Sequence, residues 1–188
     1  MWLLTTAALA APPNYRPTRS TEHCQMFLGP AMDNGVVPMH AECTWPGVTL
    51  EKADALFSSW ASHDEIFSSI VSSEVERMDG GVAYVRQVHR AKGISDREAL
   101  LKMQKTQVDG GLRFGWTLEP SEARDSGHVM VAFDTGYWEF RDGPDGLVVV
   151  DHLEYDPGGS VPGFLVRWFQ TSGLETVLSE LETWMTTH

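Results

Sequence analysis

Short Asp- and Gly-rich sequences separate the strand-like segments in the second half of the chain. The strand-like segments cover residues 74–78, 81–90, 97–108, 112–118, 128–140 and 147–155. Most of the breaks between them are Asp-Gly or Gly-Gly signals, at residues 79–81, 109–111 and 142–146. Loops this short join antiparallel neighbours, because a parallel crossover needs roughly a dozen residues or more. The pattern therefore predicts an antiparallel meander and argues against a doubly wound parallel sheet.

A first helix is predicted before this meander. Thr49 has the character of an N-cap, and Glu51 stands in the first turn, where the helix dipole favours an acid. Apolar residues then recur at spacings of three and four: Leu50, Ala53, Leu56, Phe57 and Trp60. The spacing predicts an amphipathic helix of about three turns. A shorter helical piece is expected over residues 63–70.

A long apolar helix is predicted at the end of the chain, after Asp-Pro-Gly-Gly at residues 156–159. Large apolar residues repeat there at helical spacing over about six turns. They are Phe164, Leu165, Trp168, Phe169, Leu174, Val177, Leu178, Leu181 and Trp184. Thr171-Ser172-Gly173 is expected to kink this helix near its middle. One helix packed on a curved sheet leaves space between the two.

Two cysteines lie in a predicted hairpin near the N-terminus. Residues 23–28 and 36–44 alternate loosely around a turn-rich stretch at 29–35, which is typical of two paired strands. This pairing would bring Cys24 toward Cys43. Two cysteines are too few for a disulfide scaffold and lack the spacing of a zinc site. Two alternatives stay open: one disulfide, worth roughly 3 kcal/mol in the chain-entropy model, or two buried reduced thiols.

The first 21 residues differ in composition from the rest. Residues 2–10 form a short apolar run that ends in Ala-Leu-Ala, similar to the end of a secretory signal, although no Lys or Arg precedes it. Residues 11–21 are mainly Pro, Thr, Ser and Arg and are expected to be a mobile arm. The folded domain is predicted over residues 22–188. We expect a secreted or periplasmic protein, with a cytoplasmic location as the alternative.

Acidic side chains outnumber basic ones by 26 to 14, which gives a net charge of −12. This sign is wrong for phosphate backbones and for anionic headgroups, so neither a nucleic-acid partner nor polybasic membrane recruitment is expected. Linear motifs for catalysis and metal binding are also missing: Gly-x-Ser-x-Gly, His-Glu-x-x-His, Cys-x-x-Cys and the phosphate-binding Gly-rich loop. No cofactor, no metal and no catalytic residue is predicted.

Two segments have more specific patterns. In residues 85–98, VRQVHRAKGISDRE, a strand ends in a small loop and restarts at a Ser-Asp-Arg-acid stretch. In residues 156–166, DPGGSVPGFLV, an acid and Gly precede an apolar-Pro pair and the terminal helix. Both segments resemble motifs of the START (steroidogenic acute regulatory protein-related lipid transfer) family, and the chain is identified as a compact, bacterial-type member that lacks the family's longer helical N-terminus. The resemblance implies the α+β helix-grip fold, a curved antiparallel sheet wrapped around a long C-terminal helix with an internal apolar cavity.

The resemblance also implies a function, the binding and carrying of one lipid or other apolar small molecule in that cavity. The candidate ligand-binding residues are Arg86, Val88, Phe114, Trp116, Phe133, Tyr137, Phe164 and Trp168. If Arg86 or another basic residue of these strands faces the cavity, it would bind a polar head or pair with an acid such as Asp134 or Glu139. The alternation of side chains along a strand leaves this direction open. Each bulky residue either lines a pocket or fills a core.

A gate is implied at the mouth of the cavity. The loop before residue 96 resembles a gating loop with Ile94 at its apolar tip, which would cover the mouth or contact a membrane transiently. Phe164 and Leu165 would face it from the terminal helix. Asp96 and Arg97 are expected to serve the architecture through an ion pair at the start of a strand, and Cys24 and Cys43 are the other structural candidates.

Two further functions stay open beside lipid binding. A cyclase, dehydratase or hydrolase on the same fold would use His89, His152, Tyr137 or Tyr155 as acid or base, and it needs polar groups that converge deep in the pocket. An interaction domain with a filled core predicts no internal cavity. A monomer is expected in each case.

Overall fold

Ten strands form one sheet in the computed structural model, which describes residues 11–90, 93–125 and 127–188. The strands are β1 Arg16–Ser20, β2 Cys24–Leu28, β3 Met39–Trp45, β4 Ile70–Asp79, β5 Val82–His89, β6 Arg97–Val108, β7 Gly111–Leu118, β8 Val129–Met130, β9 Phe133–Gly143 and β10 Gly146–Asp156. The helices are α1 Leu50–Phe57, α2 His63–Ile66, α3 Gly163–Trp168 and α4 Leu174–Thr187. The apolar run at residues 2–10 lies outside the described residues. No described helix has the length and apolar character needed to span a membrane.

The strand order confirms the predicted antiparallel meander. The sheet runs β1-β2-β3-β10-β9-β7-β6-β5-β4, and each pair of neighbours along it is antiparallel. Gly80, Gly81 and Gly110 adopt positive φ angles in the turns predicted from Asp-Gly and Gly-Gly. The N- and C-terminal halves meet where β3 pairs with β10.

One predicted strand is divided in two. We expected a continuous strand over residues 128–140, but the chain leaves β8 and begins β9 only at Phe133. The backbone N–H of Val131 donates to the carbonyl of Glu98, while that of Ala132 donates to the carbonyl of Asp156. Adjacent donors therefore bond to two different strands, which interrupts the ladder. The short β8 consequently pairs in parallel with the start of β6.

The expectation of an arm without regular structure is wrong for part of residues 11–21. Strand β1 pairs with β2 at the edge of the sheet, and the Thr18 hydroxyl donates to the carbonyl of Met26 at 3.1 Å. Most of the β1 side chains are exposed, as their polar composition indicated. An edge strand needs only backbone hydrogen bonds on one side, so composition alone could not reveal it.

The predicted hairpin is confirmed, and it carries a disulfide. Strands β2 and β3 pair so that Cys24 lies directly opposite Cys43, with 4.1 Å between their Cα atoms and a bond between their Sγ atoms. Both residues are buried against the core. Of the two alternatives left by the sequence, the structure contains the bridge.

The terminal helical segment packs unevenly against the concave face of the sheet. Helix α4 buries four residues at helical spacing: Leu174, Leu178, Leu181 and Met185. Helix α3 buries none, and a π-helical stretch, Phe169–Gly173, joins the two where the kink was predicted. Thr49 caps α1 as expected, accepting from the backbone N–H of Lys52 at 3.3 Å. The second half of the terminal segment thus closes the core, and the first half stands off from it.

Candidate functional site

Two adjoining cavities lie between the concave face of the sheet and the terminal helices. The inner cavity has a volume of about 130 Å³ and the outer cavity about 620 Å³. Residues of both strands and helices line both of them: Met39, Ser69, His89, Tyr155, Phe169 and Val177. Because the cavities share these residues, we describe them as one tunnel with an inner and an outer part. This volume contradicts a fully filled core.

The wall of the inner cavity is mainly apolar. Leu101, Met103, Trp116 and Trp138 line it from the strands, and Phe57 from α1. Its inner end borders the aromatic core, in which Phe57 contacts Phe114 and Phe140 edge to face. A ligand group that enters this part meets hydrocarbon on most sides. Each polar side chain that faces it therefore strongly affects the free energy of burying a polar ligand group there.

A row of hydrogen-bonded polar side chains crosses the inner cavity. His89 Nε2 lies 3.1 Å from Gln87 Oε1, and His89 Nδ1 lies 3.4 Å from the Tyr155 hydroxyl. Gln87 Nε2 donates to Ser73 Oγ at 3.1 Å and lies 3.4 Å from His63 Nδ1. Burial lowers the pKa of both His63 and His89 to about 4, so both rings are neutral at pH 7.

Two carboxyl groups also face the inner cavity. Asp134 on β9 is 4% exposed and accepts a hydrogen bond from Trp116 Nε1 at 2.7 Å. Asp151 on β10 is 2% exposed, and no hydrogen bond to its side chain is found among the described residues. Burial raises the pKa of Asp134 to about 7 and the pKa of Asp151 to about 8. Asp151 is therefore mostly protonated at pH 7.

The outer cavity is roofed by α3 and the loop that contains Ile94. Phe164, Leu165, Val166 and Trp168 line it from the helix. Phe164 is 63% exposed and Trp168 is 50% exposed, which leaves a large apolar surface at the mouth. The predicted gate residues thus lie around one opening.

Polar contacts hold the terminal segment to the rest of the molecule below this roof. Arg19 of β1 donates to Ser172 Oγ at 2.7 Å and forms an ion pair with Glu175 at 2.9 Å. The backbone N–H of Ser68 donates to Glu180 at 3.2 Å. These contacts begin at the end of the π-helical stretch. Among the described residues, no side-chain hydrogen bond or ion pair joins α3 to the rest of the molecule outside the terminal segment.

Arg97 joins the two motifs on which the family resemblance rests. Its guanidinium donates to the carbonyls of Ser95, Pro157 and Gly158, so the start of β6 is tied to the loop that leads into α3. Gly158 has a φ of +69°, and a Cβ there would lie 2.5 Å from the carbonyl oxygen of Met130. The loop therefore requires glycine at this position.

Solved structures share this architecture at low sequence identity. A STAR-related lipid transfer protein from Xanthomonas axonopodis superposes with a TM-score of 0.81 at 15% identity, covering 93% of this chain and 99% of that chain. Human STARD10 superposes with a TM-score of 0.82 at 12% identity, covering 95% of this chain and 75% of that chain. The chain has the helix-grip fold of START domains. No family model matches the sequence, and no curated protein matches it.

The same fold also occurs in a protein of a biosynthetic pathway. The di-domain ARO/CYC protein StfQ from the steffimycin biosynthetic pathway superposes with a TM-score of 0.54 at 11% identity, covering 79% of this chain and 50% of that chain. The START fold alone therefore does not distinguish a protein that carries a lipid from an enzyme.

Three of the candidate ligand-binding residues line the tunnel of this START fold. Trp116 faces the inner cavity, and Phe164 and Trp168 face the outer one. That they bind a ligand stays a prediction. Phe114 and Phe133 line neither cavity: Phe114 is fully buried in the aromatic core, and Phe133 stands at the first position of β9, where the next residue, Asp134, faces inward.

The prediction of Arg86 and Val88 as cavity residues is wrong. Gln87 and His89 face the cavity, and side chains alternate along a strand, so Arg86 and Val88 point to the other face. There Arg86 forms ion pairs with Glu76 and Glu98. Because Arg86 does not face the tunnel, its pairing with Asp134 or Glu139 does not arise, and Glu139 pairs with Arg113 and Arg141 instead.

Tyr137 also lies on the outer face, where it stacks on His152 with 5.4 Å between the ring centroids. Because both residues point away from the tunnel, two of the four proposed acid or base residues cannot reach a ligand in it. The other two, His89 and Tyr155, line both cavities.

The Ser-Asp-Arg-acid stretch stabilises the fold, but its residues contact different partners from those expected. Asp96 forms its ion pair with Arg90, at 2.6 Å, rather than with Arg97. Glu98 is 1% exposed and accepts from Arg86, His128 and the backbone N–H of Arg124. Burial opposes ionisation of Glu98, but these donors lower its pKa to about 2.

Sequence reasoning missed His63, Gln87 and Asp151 as cavity residues. All three lie near large apolar residues and are largely buried. A signal was present for Asp151, because it continues the alternation of the apolar residues Leu147 and Val149 on β10. An acid at a core-facing position of a strand indicates a buried carboxyl.

The raised pKa of Asp151 predicts a pH-dependent stability difference. Between about pH 4 and pH 8 the unfolded chain loses this proton while the folded chain keeps it, so ionisation destabilises the folded state as pH rises. Asp151→Asn removes this effect. We expect the free energy of unfolding of the variant, relative to the wild type, to increase from pH 4 to pH 8 by on the order of a few kcal/mol and then to level off.

Urea unfolding at several pH values measures this difference. The matched control is Asp145→Asn, in the exposed turn before β10. The free energy of unfolding of this control should change with pH in the same way as that of the wild type. If the free energies of unfolding of the Asp151 variant and the wild type differ by the same amount across this pH range, Asp151 has an ordinary pKa in the folded protein.

Proposed function

We propose that this protein binds one apolar or amphipathic lipid in the tunnel and carries it, with α3 and the Ile94 loop as a lid. The observation that carries the proposal is the outer cavity of about 620 Å³, which adjoins the inner one and is lined mainly by apolar side chains. The similarity to lipid transfer proteins of the START fold supports it. The Cys24–Cys43 disulfide supports a location in an oxidising compartment, as in exported proteins.

Extraction of the protein purified from its native host, followed by mass spectrometry, tests the proposal directly. We expect one class of lipid in a ratio near one per chain. If no lipid is recovered and the protein also takes up no fluorescent fatty acid, sterol or phospholipid, the proposal is wrong.

A blocking substitution tests the location of the ligand. Val177 lines both cavities, so Val177→Trp places a large side chain in the tunnel. We expect its affinity for the fluorescent lipid probes to fall at least about tenfold, because the ligand loses apolar contact area. Thr183→Trp is the control, because Thr183 is exposed on the same helix. Equal binding by both cooperatively folded variants would place the ligand outside the tunnel.

Helix α3 is proposed to move while α4 stays packed. Gly163–Trp168 buries no residue, whereas four α4 residues are buried and Arg19 holds the junction at Ser172. A π-helical stretch at the junction supplies a site where the backbone geometry already departs from the α-helix. We also propose that the exposed Phe164 and Trp168 contact a membrane transiently when the lid opens.

Hydrogen exchange tests this lid. In the empty protein we expect faster exchange over residues 164–169 and around Ile94 than over residues 174–184, because α3 lacks buried contacts. The tightest-binding lipid probe should slow both fast regions together, and vesicles of neutral phospholipid should protect the same regions. Uniform protection of the whole helical segment with and without lipid would place the gate elsewhere.

A second candidate function is a small-molecule cyclase or dehydratase on the same fold. The observation that favours it is the convergence of His63, His89, Asp134, Asp151 and Tyr155 on the inner cavity. The compounds recovered from wild type and from His89→Gln distinguish the two functions. An enzyme predicts that the variant retains a compound heavier by one water, or its open-chain isomer, whereas a carrier predicts the same compound in both.

A further inference from the structure

The inner cavity contains acidic groups without a basic counterpart. Asp134 and Asp151 both face it, and no Lys or Arg is among the described residues that line it. The two arginines of the tunnel, Arg90 and Arg97, line the outer cavity only. Arg90 pairs with Asp96, and Arg97 donates to backbone carbonyls. Neither guanidinium forms an ion pair with Asp134 or Asp151.

The other titratable groups of the inner cavity do not compensate these acids either. His63 from α2 and His89 from β5 are neutral at pH 7, because burial lowers the pKa of each to about 4. Burial and the nearby Asp134 raise the pKa of the Tyr155 hydroxyl, so it stays protonated. Asp134 has the indole N–H of Trp116 as a donor, and Asp151 has no donor among the described residues.

A buried carboxyl of this kind is stabilised by a cation in contact with it. We propose that the inner cavity selects an amphipathic ligand that carries a basic amine, with the Asp151 carboxylate as the partner of the ammonium group and the hydrocarbon part in the outer cavity. This inference rests on the proposed function and names the chemical class of its ligand. A fatty acid would instead bring a third acidic group next to Asp134 and Asp151.

The proposed complex has a defined proton balance. In the empty protein Asp151 holds a proton at pH 7, since burial raises its pKa to about 8. The amine is already protonated in solution, so formation of the ion pair leaves the ammonium intact and transfers the Asp151 proton to the solvent. Binding of the amine therefore releases about one proton, whereas binding of an alcohol releases none.

Three probes of equal chain length test the proposal: decylamine, decanol and decanoic acid, each below its micellar concentration. Three tryptophans line the inner cavity, so their fluorescence reports occupancy: Trp60, Trp116 and Trp138. We expect the amine to bind at least about tenfold more tightly than the alcohol, because a hydrogen bond to a charged group is stronger than a neutral one. The acid should bind most weakly.

Asp151→Asn should lower the affinity for the amine at least about tenfold and leave that for decanol within about threefold. Asp145→Asn, in the exposed turn, is the control and should leave all three affinities unchanged. Titration calorimetry in buffers of different ionisation enthalpy should show release of about one proton with the amine in the wild type, and markedly less in the Asp151 variant, in which only the partly protonated Asp134 can still lose a proton. Retained decanol binding shows that the variant is folded.

The outcomes separate this inference from the proposed function. If none of the three probes binds and no lipid is recovered by extraction, the proposed function fails. If the alcohol or the acid binds as tightly as the amine, or Asp151→Asn leaves amine binding unchanged, the amine class is wrong while lipid binding stands. Proton uptake instead of release would also overturn it.

Discussion

The packing of helix α4 against the concave face of the sheet determines the rest of the structure. Four side chains of α4 enter the core, and the strands that receive them bend around the helix. The same sheet extends past the π-helical stretch, but α3 contributes no buried side chain there. One apolar helix thus fills half of the concave face and leaves a tunnel over the other half.

Polar contacts anchor the terminal helical segment on either side of α3. Arg97 ties the start of β6 to the loop before α3, and Arg19 ties β1 to the start of α4. Both contacts join segments that are far apart in sequence, and both lie outside the apolar core. These contacts anchor the loop before α3 and the start of α4, while α3 itself buries no residue and has no such contact among the described residues.

The antiparallel order of the strands and the terminal helix could be predicted from sequence, because Asp-Gly turns and helical spacing are local signals. The fold implied by the resemblance at Ser95–Asp96–Arg97 and Gly158–Gly159 is confirmed by the structure. The prediction of which β5 side chains point into the tunnel is wrong. Arg86 and Val88 alternate with Gln87 and His89, and the sequence does not show which pair faces the helix. Strand β1 could not be predicted because its exposed polar side chains show no apolar alternation, and it is attached by backbone pairing with β2 and by contacts of Thr18 and Arg19.

The disulfide between β2 and β3 acts on the half of the molecule that holds α4. Arg19 on β1 pairs with Glu175 of α4, and His23, which immediately precedes the bridged Cys24 in the turn between β1 and β2, contacts Glu182 of α4. The residues that roof the outer cavity lie beyond these contacts, on α3 and in the Ile94 loop. Substitutions that alter the shape of the mouth therefore leave the covalently closed part of the core unchanged. Substitutions at the mouth can change how a ligand enters with little effect on thermodynamic stability, whereas substitutions of Asp151, on the strand that pairs with β3, act on both.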